Sequence, residues 1–330
     1  MRIAVLGAGS WGTTFAALVC KRNETLLWAR EPEVAVEIDQ HHRNSAYLPG
    51  FELPNALRAT SDIERAAASA DVLVMGVPTQ WFRAVLAAVA PHFRPWGPVV
   101  SLAKGFEPGT GLRMSQVVEE LLPGHPAAVL GGPNLAKEIM AGNAAAAVIA
   151  THDHAVAAGL QAIFKRGLFR VYTHHDVVGC EVAGALKNVV AIAAGIAEGL
   201  GAGDNTRAMV ISRGLAELTR LGVAMGGEPV TFAGLAGVGD LVATCMSPQS
   251  RNRHVGEQLG RGRSLGEILG EMNMVAEGVK TAELVLELAE RHNVAVPISY
   301  QVHQVVIGAV TPVRAYWGLV SSPSSEAEPG

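Results

Sequence analysis

The chain has 330 residues, enough for two domains with separate cores. Hydrophobic residues make up 49% and charged residues 17%, the balance of an ordinary globular protein and not of a disordered one. With a formal net charge of −4 and no basic block, the sequence excludes a broad nucleic-acid-binding surface, so an anionic ligand has to be held by locally gathered Lys and Arg.

The first element is an apolar strand, Met1 to Leu6, which runs straight into Gly7-Ala8-Gly9-Ser10-Trp11-Gly12 and then an apolar helix from Thr13 to Val19. A G-x-G-x-x-G pattern between a strand and a helix predicts a dinucleotide-binding turn. Gly7 permits the tight turn, Gly9 lets the backbone approach a pyrophosphate, and Gly12 lets the helix pack close to the strand. The helix N-terminus offers N–H donors and partial positive charge to the phosphates. A second strand, Thr25 to Ala29, ends at Arg30. A short strand follows at Leu57 to Thr60, with Ser61-Asp62 capping a small helix, and then a buried strand from Asp71 that stops at Pro78. A helix spans Trp81 to Ala90, and the strand from Pro98 to Ala103 is closed by Lys104-Gly105. Ala127 to Pro133, Ala144 to Ala150 and Phe169 to Tyr172 complete the strands. Continuous apolar strands alternating with helices predict an α/β architecture, a Rossmann-type, doubly wound, mostly parallel sheet covered on both faces.

From about Val177 strand signals give way to Ala-, Leu- and Gly-rich helical stretches, including an amphipathic helix from Thr281 to Arg291 and another beyond Pro297. The expected division is a dinucleotide-binding domain over 1–178, an all-helical substrate-binding and catalytic domain over 179–320, and a polar, disordered tail over 321–330. The three cysteines, Cys20, Cys180 and Cys245, are odd in number and lack metal-ligand spacing, which predicts reduced thiols in a cytoplasmic protein. The strand at the N-terminus leaves no signal peptide, and the uncharged runs fall short of a membrane span. His41-His42, His152 with His154, and His174-His175 lack a third ligand at suitable spacing, so no metal is expected.

One polar pair stands in the most apolar helix. Between Glu181 and Glu198, Lys187 is the only charged residue, with Asn188 beside it. A helix apolar all round is buried, and a buried ammonium needs either a carboxylate partner or a polar cavity. Lys187 therefore reads either as half of a buried salt bridge or as a catalytic lysine that protonates a ketone oxygen as hydride reaches carbon. Lys104 and Gly131-Gly132-Pro133-Asn134 follow strands, where ligands of open α/β sheets bind, although a surface lysine and a plain turn are the alternatives. Arg251 has the forked donors to grip phosphate, and Asp240 could orient Lys187 or accept a hydroxyl; each could equally be an ordinary loop residue.

Taken together, these motifs resemble the NAD(P)-dependent sn-glycerol-3-phosphate dehydrogenases of the bacterial soluble type, from Gly7 to about Val320. The residues that carry the resemblance are Gly-Ala-Gly-Ser-Trp-Gly-Thr at 7–13, Ala-Lys-Gly at 103–105, Gly-Pro-Asn-Leu-Ala-Lys-Glu at 132–138 and Gly-Ala-Leu-Lys-Asn-Val-Val-Ala-Ile at 184–192. Arg-Gly-Leu-Ala-Glu at 213–217, Gly-Val-Gly-Asp-Leu at 237–241, Ser-Arg-Asn-Arg at 250–253 and Val-Ala-Glu-Gly at 275–278 continue it. The resemblance implies reversible reduction of dihydroxyacetone phosphate to sn-glycerol 3-phosphate with NADPH or NADH, supplying the backbone of phospholipids. It implies that Lys187 is the catalytic acid and base, and that Lys104, Gly132, Asn134, Asn188, Asp240, Thr244, Ser250, Arg251 and Asn252 contact substrate bound between the domains. The glycines Gly7, Gly9 and Gly12 together with Ser10, Trp11, Arg30, Lys104, Ala136, Arg251, Val275 and Glu277 match cofactor positions. Asn134-Leu135 departs from the Thr/Ser-Phe pair commoner in the family. Arg30, at the place where an acid would favour NAD, predicts NADPH use with NADH also accepted. A homodimer without nucleic-acid or membrane partners is expected. The rival readings are a β-hydroxyacid or 6-phosphogluconate-type dehydrogenase and a non-catalytic nicotinamide sensor.

Overall fold

The structure, a computed structural model, describes residues 1–272 and 276–321. It divides into two compact units, Met1–Val177 and a second that begins at Val178. The expected disordered tail lies, apart from Ser321, outside the described residues.

The first unit alternates strands and helices. They are β1 (Arg2–Leu6), α1 (Ser10–Val19), β2 (Glu24–Trp28), α2 (Pro32–His41), β3 (Arg58–Thr60), α3 (Ile63–Ala68), β4 (Val72–Met75) and α4 (Thr79–Val89). They continue with β5 (Val99–Ser101), α5 (Met114–Leu121), β6 (Ala127–Gly131), α6 (Ala136–Met140), β7 (Ala145–Ala150), α7 (His154–Phe164) and β8 (Phe169–His174). The eight strands form one sheet in the order β3-β2-β1-β4-β5-β6-β7-β8. Every neighbouring pair is parallel except β6 and β7, where Val129 faces Ala150 and Gly131 faces Val148. The chain order reverses beside β1, which places the β1–α1 turn at the switch point where such sheets bind ligands. Strands β1 and β4 are apolar because both faces are covered: Ile3, Val5, Val72 and Val74 pack with Phe15 and Ile38 on one side, and Ala4, Leu6, Leu73 and Met75 with Phe82 and Leu86 on the other.

The second unit is helical. It contains α8 (Val177–Gly199), α9 (Asp204–Ala224), α10 (Pro229–Phe232), a single π-helical turn (Leu235–Gly239) and α11 (Asp240–Met246). Then come α12 (Arg251–Gly260), α13 (Leu265–Gly270), α14 (Glu277–Arg291), α15 (Pro297–Val306) and α16 (Pro312–Ser321). At 23 residues, α8 is long and apolar enough to cross a bilayer by length and composition, as is the helical stretch Pro229–Met246, contrary to the expectation that no run would reach that length. One lysine does not offset so many aliphatic neighbours. Yet 94% of the apolar window of α8 is buried, so it is the core helix of this unit.

Glycines set how closely α8 and α12 approach. A Cβ at Gly195 would lie 2.0 Å from the Arg253 carbonyl, and one at Gly256 2.0 Å from the Ile192 carbonyl. One turn on, Gly199 and Gly260 stand in the same relation to Glu257 and Ile196. Backbone touching backbone fixes the start of α12, and with it Ser250, Arg251 and Asn252, against the helix that carries Lys187.

Candidate active site

In the first unit the three glycines of the β1–α1 turn have distinct tasks. Gly7 has φ +114°, a left-handed-side conformation costly for any side chain. A Cβ at Gly12 would lie 2.0 Å from the Gly7 carbonyl, so α1 could not pack against the turn. A Cβ at Gly9 would meet nothing within 4 Å, so the protein itself does not fill the space this residue faces. Gly9 caps α1 without a side-chain hydrogen bond, and the first turn carries no acidic residue. Those features suit an anion at the helix N-terminus. Ser10 donates to the Tyr47 carbonyl, and Trp11 packs edge-on to Phe15 with its indole N–H buried and without a hydrogen-bond partner in the protein.

Beyond β5, Lys104 Nζ donates to the Gly132 carbonyl at 2.8 Å. Gly132, φ +107°, lies against the backbone of β7, 3.1 Å from the Ala146 carbonyl at the position of a Cβ. Asn134 donates weakly to the Gly131 carbonyl at 3.4 Å, while its Oδ1 is buried and unpartnered in the protein. Ala136 opens α6 and packs against the sheet core. Lys104, Gly132 and Asn134 are thus neighbours. Arg30 follows β2, exposed, and donates through Nε to Glu31 at 2.9 Å.

In the second unit the buried lysine has found its acid. Lys187, 5% exposed, donates to Asp240 Oδ1 at 2.5 Å and to Thr244 Oγ1 at 2.7 Å. Asp240 is 2% exposed, and the Thr244 hydroxyl donates onward to the Asp240 carbonyl at 2.6 Å. Of the two sequence readings of Lys187, the structure shows the buried salt bridge, and its partners Asp240 and Thr244 are residues that the resemblance expects to contact substrate. The Gly-Val-Gly-Asp motif builds this pair. Gly239 N–H reaches back to the Gly234 carbonyl in the π-helical turn, which delivers Asp240 at the start of α11. Gly237 tolerates no Cβ, which would sit 2.1 Å from the Phe232 carbonyl. Attraction to a carboxylate offsets the desolvation of the ammonium, and removing either partner alone would strand a charge.

The other residues gather around α12. Ser250 caps α12 by accepting the Arg253 N–H, and Arg251 is its first residue. Protein atoms crowd the Arg251 guanidinium enough to hold its pKa below the ordinary value, opposed by the nearby Glu277 carboxylate. Asn252 Oδ1 accepts the Gly278 N–H at 3.0 Å, and a Cβ at Gly278 would lie 2.6 Å from the Asn188 carbonyl. Asn188, Asn252 and the start of α14 therefore touch. Val275 lies outside the described residues.

The family model for the N-terminus of NAD-dependent glycerol-3-phosphate dehydrogenase matches residues 2–157, and the model for its C-terminus matches residues 176–316. The chain belongs to the NAD-dependent glycerol-3-phosphate dehydrogenase family. It is 56% identical to glycerol-3-phosphate dehydrogenase [NAD(P)+] 2 of Sphingopyxis alaskensis, over 100% of this chain and 99% of that one. It is 55% identical to the Mycobacterium avium enzyme of the same type, over 97% and 94%. The crystal structure of glycerol-3-phosphate dehydrogenase from Coxiella burnetii aligns with a TM-score of 0.92 at 35% identity, covering 97% of this chain and 98% of the other.

Three buried polar residues were given no role from the sequence, although Glu217 and Arg253 lie in the motifs at 213–217 and 250–253. Arg253, buried, donates to Glu198 and, at 3.0 Å, to the Ser247 carbonyl, tying α12 to α8 and to the loop before it. Asn44 and Glu217 likewise act through buried hydrogen bonds that join residues distant in the chain. Gathered polar contacts of that kind have no spacing pattern. The clue that exposed Lys187, a lone charge in an apolar stretch, was absent for Glu217, because α9 also carries Asp204, Arg207, Arg213 and Arg220. Among the described residues no group of three or more His, Cys, Asp and Glu gathers as for a metal.

Proposed function

We propose that Lys187 is the proton donor and acceptor in the NAD(P)-dependent interconversion of dihydroxyacetone phosphate and sn-glycerol 3-phosphate that this chain catalyses. The observation that carries the assignment is the buried Lys187–Asp240–Thr244 cluster on α8 and α11, in a chain matched to the family along its length. The residues of the β1–α1 turn fit a dinucleotide: open space faces Gly9, α1 presents an uncapped N-terminus, and the Trp11 indole N–H awaits an acceptor. Gly7, Gly9, Ser10, Trp11 and Gly12 would hold its pyrophosphate, with Arg30, Ala136, Lys104, Arg251 and Glu277 as further contacts. A bound nicotinamide supplies hydride to C2 of the ketone and takes it back in the reverse direction.

Lys187 faces the C2 oxygen in this reading. Its ammonium stabilises charge as it develops there and passes a proton to it; in oxidation the neutral amine removes that proton. Lysine has three donors, and Asp240 and Thr244 take two of them, which fixes where Nζ stands. Asp240 in turn accepts from Lys187, while Asn188 and Asn252 bind substrate hydroxyl, Arg251 and Ser250 bind phosphate, and Lys104, Gly132 and Asn134 complete the contacts. The unpartnered Asn134 Oδ1 supports that last role, since a buried acceptor without a donor is costly until a ligand supplies one.

Replacing Lys187 with Ala should lower kcat by at least about a hundredfold, the lower range for a lost general acid, with NADPH affinity unchanged. Absorbance of NADPH with dihydroxyacetone phosphate reads the first quantity and fluorescence titration the second. Turnover that survives the substitution with cofactor binding intact would show that the lysine is structural. The reading also carries a cytoplasmic homodimer that supplies the glycerol phosphate backbone of phospholipids. The exposed apolar residues Tyr300, Ile307, Val313 and Trp317 on and beside α15 and α16 support the dimer, and the three free, buried thiols fit a reducing compartment.

A further inference from the structure

The turn after β1 is held from outside by a segment with no place in the glycine motif. The Ala8 carbonyl, between Gly7 and Gly9, accepts from Asn44 Nδ2 at 2.8 Å and from Thr13 Oγ1 at 3.1 Å. Asn44 Nδ2 also donates to Thr13 Oγ1 at 2.8 Å, which closes a triangle of three polar groups. Both hydrogens of the Asn44 amide are therefore committed. Asn44 is 1% exposed and Thr13 is 0% exposed, so water does not substitute for these bonds.

Asn44 is itself held. Its Oδ1 accepts the Tyr47 N–H at 3.1 Å, and its carbonyl accepts the Leu48 N–H at 2.8 Å. The segment begins at His42, whose φ of +52° ends α2, and is closed by the Leu53 N–H on the His42 carbonyl at 2.8 Å. A second tie runs back from α1, where Ser10 Oγ donates to the Tyr47 carbonyl. Residues 42–53 thus form a compact loop fastened to the glycine turn at both Ala8 and Ser10.

The geometry has a consequence for binding. In a trans peptide the carbonyl and the following N–H point opposite ways, and the chain has no cis peptide bond among the described residues. Holding the Ala8 carbonyl toward Asn44 turns the Gly9 N–H away from the loop, at the residue whose missing side chain leaves open space. We infer that Asn44 is a positioning residue for the dinucleotide: it sets the Ala8–Gly9 peptide plane, so that the donors at the start of α1 are already aimed when the pyrophosphate arrives. The inference rests on the dinucleotide reading of the β1–α1 turn given above. Its physical content is preorganisation, in which a turn free to rotate that peptide would have to be ordered on binding.

The test is a comparison of wild type, Asn44→Ala, Thr13→Val and the double variant. Asn44→Ala should raise the Kd for NADPH on the order of tenfold by fluorescence titration, the effect of losing one or two buried hydrogen bonds that hold a binding turn. At saturating NADPH, kcat and the KM for dihydroxyacetone phosphate should stay within about twofold of wild type, because the chemistry is performed by other residues. Thr13→Val, which keeps the shape and removes the hydroxyl, should weaken NADPH in the same direction. The double variant should be no worse than Asn44→Ala by more than about twofold, since both break one triangle. If Asn44→Ala does not fold, Thr13→Val decides the matter alone. An NADPH Kd unchanged in the folded variants, with only the melting temperature lowered, overturns the inference and leaves Asn44 a loop anchor. A parallel loss of kcat at saturating cofactor overturns it too. Wild type that binds neither NADPH nor NADH would instead sink the dinucleotide reading itself.

Discussion

In the proposed cofactor site, Arg30 is the side chain on which a choice between NADPH and NADH would turn. It follows the second strand, where an arginine can accommodate a ribose 2′-phosphate and an acid would bind the 2′-hydroxyl. The guanidinium is exposed and bonded to Glu31, the adjacent residue, and this hydrogen bond raises its pKa above the ordinary value. A 2′-phosphate must share Arg30 with that carboxylate, and an exposed ion pair in water contributes little. NADPH should therefore be favoured over NADH only modestly, and Arg30→Ala should lower kcat/KM for NADPH relative to NADH by about fivefold to tenfold, a charge-assisted contact weakened by solvent. Steady-state rates with both cofactors read this directly, and an unchanged ratio would remove Arg30 from the cofactor site. The sequence disclosed Arg30 because it stands at the end of a strand whose position the glycine motif fixes. It could not disclose Glu31 as a competitor, since adjacency in sequence does not show which way two side chains turn.

At the scale of elements, glycines and buried carboxylates decide how helices meet. The strands and the first helix were readable because buried parallel strands are unbroken apolar runs and the turn between them has a required composition. The antiparallel pairing of β6 with β7 was not readable, because an apolar run looks the same in either direction. The helical unit was readable as helical, while its assembly was not: Gly195, Gly199, Gly256 and Gly260 look like helix-weakening residues until each is seen against a facing backbone. Glu217 is the sharpest case. From α9 its carboxylate accepts the Ile298 N–H at 2.8 Å, the Ser299 N–H at 3.0 Å and the Ser299 hydroxyl at 2.6 Å, capping α15 just after Pro297. Burial pushes its pKa up, and the bonds from Ser299 and Ile298 and the charge of Arg220 oppose that. A carboxyl that holds its proton more tightly folded than unfolded contributes stability below its unfolded value, near 4.5, and loses it as pH rises through the higher folded value. Glu217→Gln resembles the protonated acid at every pH. Whatever its constant offset, the melting temperature of Glu217→Gln minus that of wild type should increase between about pH 4.5 and pH 8. A difference that is flat or falls with pH would mean that the folded chain does not raise this pKa.

On the scale of the whole molecule, the two units differ in how their function is written. In the first, the residues proposed to bind cofactor are close in sequence or lie at successive strand ends, so a motif and a fold rule point to them together. In the second, Lys187 and Asp240 are 53 positions apart and meet only through the packing of α8 against the π-helical turn and α11. Lys187 was legible from its isolation among aliphatic residues, and Asp240 only as one of several candidates. The three free cysteines can report whether each unit stays closed around these residues, because all are buried: Cys20 in α1's C-terminal cap, Cys180 in α8 and Cys245 in α11, next to Thr244. Burial pushes the Cys20 thiol up to about 11 and the Cys245 thiol up to about 12, the latter lowered somewhat by Lys187 and raised by Asp240. The thiolate is the nucleophile that attacks the reagent's disulfide and expels its aromatic thiolate, so a buried thiol with a raised pKa reacts only through opening of the surrounding structure. Labelling of native protein by an aromatic disulfide reagent at pH 8 should be at least about a hundredfold slower than in urea, and saturating NADPH should slow it further by stabilising the closed form. Mass spectrometry of the labelled peptides separates the positions, with Cys20 reporting the first unit and Cys180 and Cys245 the second. Rapid native labelling at Cys245 alone would mean that α11 opens independently, and a lysine whose carboxylate partner leaves that readily would not be held in place for proton transfer.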